Sequence, residues 1–324
     1  MSRLTRRAAL ASALPVLALP AIGRAQAAWK PTQTVRIVVP AAPGGGTDIL
    51  ARLIGVHLQQ AWGVSVVIDN KSGAGGVLGT MEVVRSPADG HTLLMGNIGP
   101  QSIAYSLYRN LQYKPTSLIP VSNVLVVHPD VPAKTVPEFV AWLRKQDGKA
   151  SYASSGTGQS PHLSGALFLQ LTGAKATHVP YRGAAPALAD LVAGQTQYFF
   201  DNLVTAIEFV RAGKLWALGI TSATRNPMVP DLVPLRETMP ELAPFDVSAW
   251  FGTFLPAGTP KAAVDAYNAQ IKVWIETDAT KKRFEQMAGY PVWSPPEQFA
   301  TFVAAQIAQW KAVIDKEGLQ LDVN

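Results

Sequence analysis

The chain contains no cysteine among its 324 residues. That excludes disulfide staples, thiol nucleophiles, thiolate metal sites and a lipid-anchored cysteine, so stability has to come from burial. Charge is scarce too, at 15% of residues, and no basic stripe of the kind that tracks a nucleic-acid backbone or a membrane surface stands out. Catalytic signatures are missing: there is no G-K-[ST] phosphate loop, no H-E-x-x-H and no G-x-S-x-G elbow. The five histidines, His57, His91, His128, His162 and His178, are dispersed without metal-ligand spacing. No metal and no cofactor is expected. What remains is 48% hydrophobic, with 26 glycines and 25 prolines to punctuate short elements. That composition fits a globular protein long enough for two domains.

The N-terminus stands apart. Arg3, Arg6 and Arg7 precede the apolar stretch "AALASALPVLALPAI", and "AQA" then offers small residues before Ala28. Residues 1–27 read as a secretory signal peptide cleaved after Ala27. Pro15 and Pro20 break the apolar stretch, which is too short for a stable membrane span. The adjacent Arg6 and Arg7 fit a twin-arginine signal and an ordinary one alike. Four of the 28 basic residues lie in this leader and none of the 22 acidic ones, so the mature chain carries a net +2.

Beyond the leader, short apolar runs alternate with helical patterns, which predicts a βαβ succession with mainly parallel sheets. "TVRIVVP" reads as a strand, and "DILARLIGVHLQQAWG" as a helix with Ile49, Leu50, Leu53, Ile54 and Leu58 on one face. The strands "VSVVIDN" and "HTLLMGN" and helices through "VLGTMEVVRS" and "SIAYSLYRN" follow. A second series of the same grammar starts after "SNVLVVHPD" and ends at "LWALGIT". A proline-rich passage from Asn226 to Pro244 follows it, then the strand "DVSAWFGTFLP" and a helical tail from Pro260.

In both series the strands run into Gly/Ser/Thr-rich loops that open helices. Open α/β sheets place ligands there, where helix N-termini present free N–H groups. Four loops fit: Pro43–Asp48, Ser72–Gly76, Ser154–Ser160 and Arg182–Ala185. Such N–H groups favour an anion, each hydrogen bond to a charged group contributing roughly 1.5–3 kcal/mol. Any one loop alone is explained better by a tight turn, but four at equivalent positions favour a ligand. The glycine order is wrong for a dinucleotide site, since "GTGQSP" ends in Pro161 and "GAGGVL" in Leu78. His162 stands beside the "GTGQS" loop, where it either orders the loop or reaches a ligand; Asp48 stands likewise in the first loop. Trp250 and Phe251 are placed to line a cleft or to pack in the core.

Six ordered motifs carry a resemblance over essentially the whole mature chain: "VVPAAPGGGTD", "VVIDNKSGAGG", "ADGHTLLMGN", "SYASSGTGQSPHL", "HVPYRGAAPALADLVAGQ" and "WFGTFLPAGTP". The chain resembles the Bug-type solute receptors, the extracytoplasmic binding proteins of tripartite tricarboxylate transporters. The resemblance implies an α/β, two-lobe type II periplasmic-binding-protein fold with a central cleft. It implies a periplasmic receptor for a small carboxylate (a di- or tricarboxylate, amino acid or aromatic acid) that serves the transporter's membrane components. Carried over onto this sequence, the first-lobe ligand set is Gly44, Gly45, Gly46, Thr47 and Asp48 with Gly73, Ala74 and Gly75. The second-lobe set is Ser154, Ser155, Gly158, His162, Tyr181, Arg182, Gly183 and Asp201. Two positions depart from the family's habit. Ala41 stands where an aromatic residue is frequent, and Gln159 where a serine is frequent.

The expected division is a leader over 1–27, a first lobe of 28–127 and 249–324, and a second of 128–248, with "SNVLVVHPD" and "FDVSAWFG" crossing between them. The expected work is capture, not catalysis, by a monomer that binds no nucleic acid. Two rivals remain: a receptor serving another transporter or a signalling partner, and an enzyme using the same cleft with His162 or Asp201 as base.

Overall fold

The computed structural model describes residues 29–103, 113–289 and 291–317. The expected leader lies outside the described residues, as does most of the helix expected through "SIAYSLYRN". The first series forms β1 (Val35–Val39), α1 (Gly46–Trp62), β2 (Val66–Asn70), α2 (Val77–Val84) and β3 (Thr92–Asn97). A long β4 (Tyr113–Val127) leads into the second: α3 (Val136–Gln146), β5 (Ser151–Ser154), α4 (Ser160–Thr172), β6 (Thr177–Pro180), α5 (Ala184–Val192), β7 (Tyr198–Asn202), α6 (Leu203–Arg211) and β8 (Trp216–Ile220). The chain returns through β9 (Ser248–Pro256) and ends in α7 (Lys261–Glu276), α8 (Asp278–Gln286) and α9 (Pro296–Glu317). No helix among the described residues is long and apolar enough to cross a membrane.

The expectation of mainly parallel sheets needs correcting. β1 pairs in parallel with β2 and β3, and β5 with β6 and β7. β9, however, is antiparallel to both β3 and β4, and the second half of β4 is antiparallel to β7 and β8. The reason is that β9 runs against β3 and β4 in the first sheet, while β4 continues into the second sheet and runs against β7 and β8 there. Within β4, Ser122 pairs with Ser248 of the first sheet and Asn123 with Asn202 of the second. The return crossing is pinned by Thr221, whose hydroxyl donates to the Val247 carbonyl at 2.6 Å and whose N–H donates to the Asn123 carbonyl at 3.0 Å.

β1 is buried on both faces except at Arg36, which pairs with Glu82 and Asp69. α1 lays Leu50, Ile54 and Leu58 on it at helical spacing, beside Tyr267, Ile271 and Trp274 of α7. Another cluster packs α5 and α6 onto Val124, Val126 and Phe199. The largest runs through both lobes by way of the crossing strands. It joins Phe139, Phe168 and Phe200 to Leu125, Trp250, Phe254 and Phe299.

Candidate functional site

Between the lobes lies a space of about 420 Å³ counted out to its mouth, whose inner part is only a few waters in size. First-lobe residues Ala41, Gly45, Gly46, Thr47, Asn97 and Ile98 line one wall. Ser155, Gln159, Ser160, Pro161, Gly183, Ala184 and Asn202 line the other, and Ala249, Trp250 and Phe251 of β9 form the floor. None of these side chains carries a charge.

Four helices start at this space: α1 after Gly45, α4 after Gln159, α5 after Gly183 and α6 after Asn202. None has a side-chain cap, whereas α3 and α8, which start away from it, are capped by Thr135 and Thr277. The starts of α2 and α7 also lack side-chain caps but do not line the space. Uncapped first-turn N–H groups and four helix dipoles therefore converge on one small volume. Such an arrangement holds an anion by backbone donors alone.

The first loop shows why its residues differ. Gly44 has φ +83°, a left-handed conformation that suits glycine. Gly45 has φ −83° and ψ 169°, which any residue adopts. Its lack of a side chain matters for another reason: an added Cβ would stand 3.6 Å from the Ala184 nitrogen of the other lobe. The lobes touch here, and the Ala42 N–H donates to the Arg182 carbonyl at 3.1 Å. Thr47 and Asn97 are tied by a 3.3 Å bond from the Asn97 amide to the Thr47 hydroxyl.

Of the residues expected at the site, Gly45, Gly46, Thr47, Ser155 and Gly183 line the space. The others stand behind it or beside it. Asp48 is buried, accepting from the Gly44 N–H (2.9 Å), the Arg52 guanidinium (2.9 and 3.0 Å) and the Asn70 amide (3.0 Å). Burial works to raise its pKa, but these bonds outweigh it and hold the carboxyl below the usual range. Asp48 thus orders the loop. Gly73, Ala74 and Gly75 form a tight turn at the edge of the cleft, where Gly75 (φ +60°) lies against the Thr157 carbonyl. The Tyr181 hydroxyl donates to Asp190 at 2.7 Å, and Arg182 is exposed.

Ser154, Gly158 and His162 form a support for the second-lobe loop. The Gly158 N–H donates to His162 Nδ1 at 3.2 Å, and Ser154 Oγ accepts the Gly156 N–H while bonding His178 Nε2 at 2.7 Å. The two imidazoles stack at 4.1 Å, continuing a column through Tyr152 to Tyr198. Burial lowers the His162 pKa to about 4; burial and the neighbouring His162 lower that of His178 to about 3. Both rings are neutral at pH 7. Asp201 is fully buried, and one carboxyl oxygen takes the Thr205 hydroxyl at 2.6 Å while the other has no partner among the described residues. Burial raises its pKa to about 7, against the pull of hydrogen bonds from Thr205 and the Asn202 N–H.

These shifts predict a pH dependence of stability with two opposed parts. Unfolding returns the histidines to about 6.5, so between pH 4 and 6.5 the unfolded chain binds up to two extra protons and stability falls as pH falls. Asp201 acts the other way, because its folded form keeps a proton that the unfolded form releases above about 3.9. In Asp201→Asn only the histidine part remains. Its melting temperature should climb more steeply from pH 4 to 6.5 than that of the wild type, and exceed it at pH 7.5. Parallel curves for the two proteins would contradict these assignments.

Sequence reasoning did not find Asn97, Asn202 or His178. A signal for the first two was present: "LLMGN" and "YFFDN" each end a strand in Asn just ahead of a loop or helix. His178 had none, because it meets His162 only through the packing of β6 on α4.

Comparison with known proteins fits this geometry. The profile of the family described as "Tripartite tricarboxylate transporter family receptor" matches residues 50–319. Protein BugT of Bordetella pertussis is 33% identical over 302 residues, 90% of this chain and 91% of its own. An R. palustris protein solved with adipate superposes with a TM-score of 0.84 at 32% identity, over 89% of this chain and 98% of its own. MatC from Rhodopseudomonas palustris with bound malate gives 0.82 at 32%, over 88% and 100%. Two lobes, a cleft of helix starts and these relatives lead to one assignment: the chain belongs to the tripartite tricarboxylate transporter receptor family, whose members are periplasmic solute-binding proteins of the Bug type rather than enzymes.

Proposed function

We propose that this receptor captures a small carboxylate in the periplasm and delivers it to the membrane components of a tripartite tricarboxylate transporter. The observation that carries the reading is the meeting of four uncapped helix starts on a cleft with no charged lining side chain. Adipate and malate in the two solved relatives support the same ligand class. The residues assigned to direct contact are Gly45, Gly46 and Thr47 on the first lobe and Ser155, Ser160, Gly183 and Asn202 on the second. Residues 1–27 direct export, and the lobes hinge about Ser122–Asn123 and Thr221–Val247.

A carboxylate bridging α1 and α5 favours the closed arrangement by its differential affinity for the two states. The test uses protein recovered from the periplasm, checked by intact mass to begin at Ala28. Malate and adipate are then titrated by calorimetry and by thermal melts. Binding at 100 times the dissociation constant raises stability by about 2.7 kcal/mol. If a panel of mono-, di- and tricarboxylates left both heat and melting temperature unchanged, the carboxylate assignment would fall.

A further inference from the structure

Gln159 occupies the N-cap of α4, a position that suits short side chains able to bond back to their own helix. Its side chain makes no cap bond. It leaves its own lobe instead, and its amide donates to the Gly75 carbonyl at 2.5 Å. The residue is 7% exposed and borders the ligand space.

The first lobe has a socket for this carboxamide. A Cβ at Gly99 would overlap the Gln159 amide, and one at Gly76 would stand 3.3 Å from its nitrogen. A Cβ at Gly75 would overlap the carbonyl of Thr157, two residues before Gln159. Gly99, with Gly76 beside it, thus clears room on one lobe for a side chain of the other, and Gly75 clears room for the backbone just ahead of that side chain. A serine at position 159 is too short to reach the Gly75 carbonyl. This cross-lobe bond ties the two lobes together at the wall of the space that Gln159 lines.

We propose that Gln159 is a specificity-determining latch that sets the length of acid the closed cleft accepts. The proposal rests on the carboxylate reading above. With the carboxamide seated in its socket, a short acid fits beneath it. A longer one has to displace it and break the bond to Gly75.

The test is an unbranched dicarboxylate series from four carbons (succinate) to seven (pimelate), titrated by calorimetry into the wild type, Gln159→Ser and Gly99→Ala. Gly99 has an unremarkable φ, so alanine there puts a methyl group into the socket without straining the backbone. Each variant should shift the seven-to-four-carbon affinity ratio toward the longer acid by at least tenfold. The double variant should add little to either, as expected of two residues in one contact. An unchanged ratio in Gln159→Ser overturns the latch, whereas a merely structural role would lower all affinities together.

A readout that needs no ligand runs alongside. The absence of cysteine allows spin labels at exposed Gln59→Cys and Lys145→Cys, one on each lobe. Gln159→Ser should move or broaden their distance distribution, and an unaltered distribution also overturns the latch. If no dicarboxylate binds the wild type, it is the carboxylate reading that fails, and the label distances alone decide the latch.

Discussion

Gly45→Val should lower affinity for a bound carboxylate at least a hundredfold, about 2.8 kcal/mol, while the folded protein keeps its melting temperature within a few degrees. The backbone at Gly45 is extended, and a Cβ there meets nothing closer than 3.6 Å. Valine is at ease in that conformation. Its methyl groups, however, project between the starts of α1 and α5, where the anion would take N–H donors from both. The variant therefore separates two reasons for the glycine. Gly44, at φ +83°, serves the turn, and Gly45 serves approach. Calorimetric titration beside a thermal melt reads both effects. A protein that melts early yet binds normally would mean that Gly45 is there for folding.

Trp250→Ala should cost about 3–5 kcal/mol, the range for truncating a large buried aromatic. In a chain of this size that is a fall in melting temperature of roughly 10 °C. Trp250 is 1% exposed on β9 and meets Phe299 and Phe302 edge-on at 5.7 Å, with Phe254 at 6.4 Å. These rings belong to the cluster that continues through Leu125 into Phe200 and Phe168 of the second lobe. Removing the indole therefore loosens both lobes, and unfolding should remain a single transition. Urea titration with matched thermal melts checks it. A loss of under about 1 kcal/mol would show that the site collapses around the gap.

Much of the fold was legible because its signals are local. The Val-rich run before Gly44 and the apolar stripe of α1 need no partner to be recognised. The cleft between the lobes was legible from the same grammar, since loops at strand ends precede helix starts in both series. The sheet's mixed direction was not, because β9 resembles any other strand until it is placed between β3 and β4. The change of sheet within β4 was expected only through the resemblance, which made "SNVLVVHPD" a crossing strand, because one unbroken strand carries no turn to mark it. Side-chain roles were hardest. For Asp48 the sequence left open whether it orders the loop or reaches a ligand, because its bonds run to Asn70, twenty-two residues on, as well as to Gly44 and Arg52 a turn away. Gln159 departs from habit in the sequence, yet its partner Gly75 lies eighty-four residues back. Sequence spacing does not report contacts across a cleft.

The place of β9 has a consequence for biosynthesis. Leu94 of β3 waits for Phe254, and Ile119 of β4 for Phe251, before the centre of the first sheet exists. A nascent chain ending short of Ser248 has β3 and the first half of β4 as raw edges, open to pairing with other chains. Such distant pairing makes folding slow. The last strand to be made is therefore the one that locks the sheet. Proteolytic loss of the C-terminal quarter would accordingly leave an aggregating fragment and no smaller receptor.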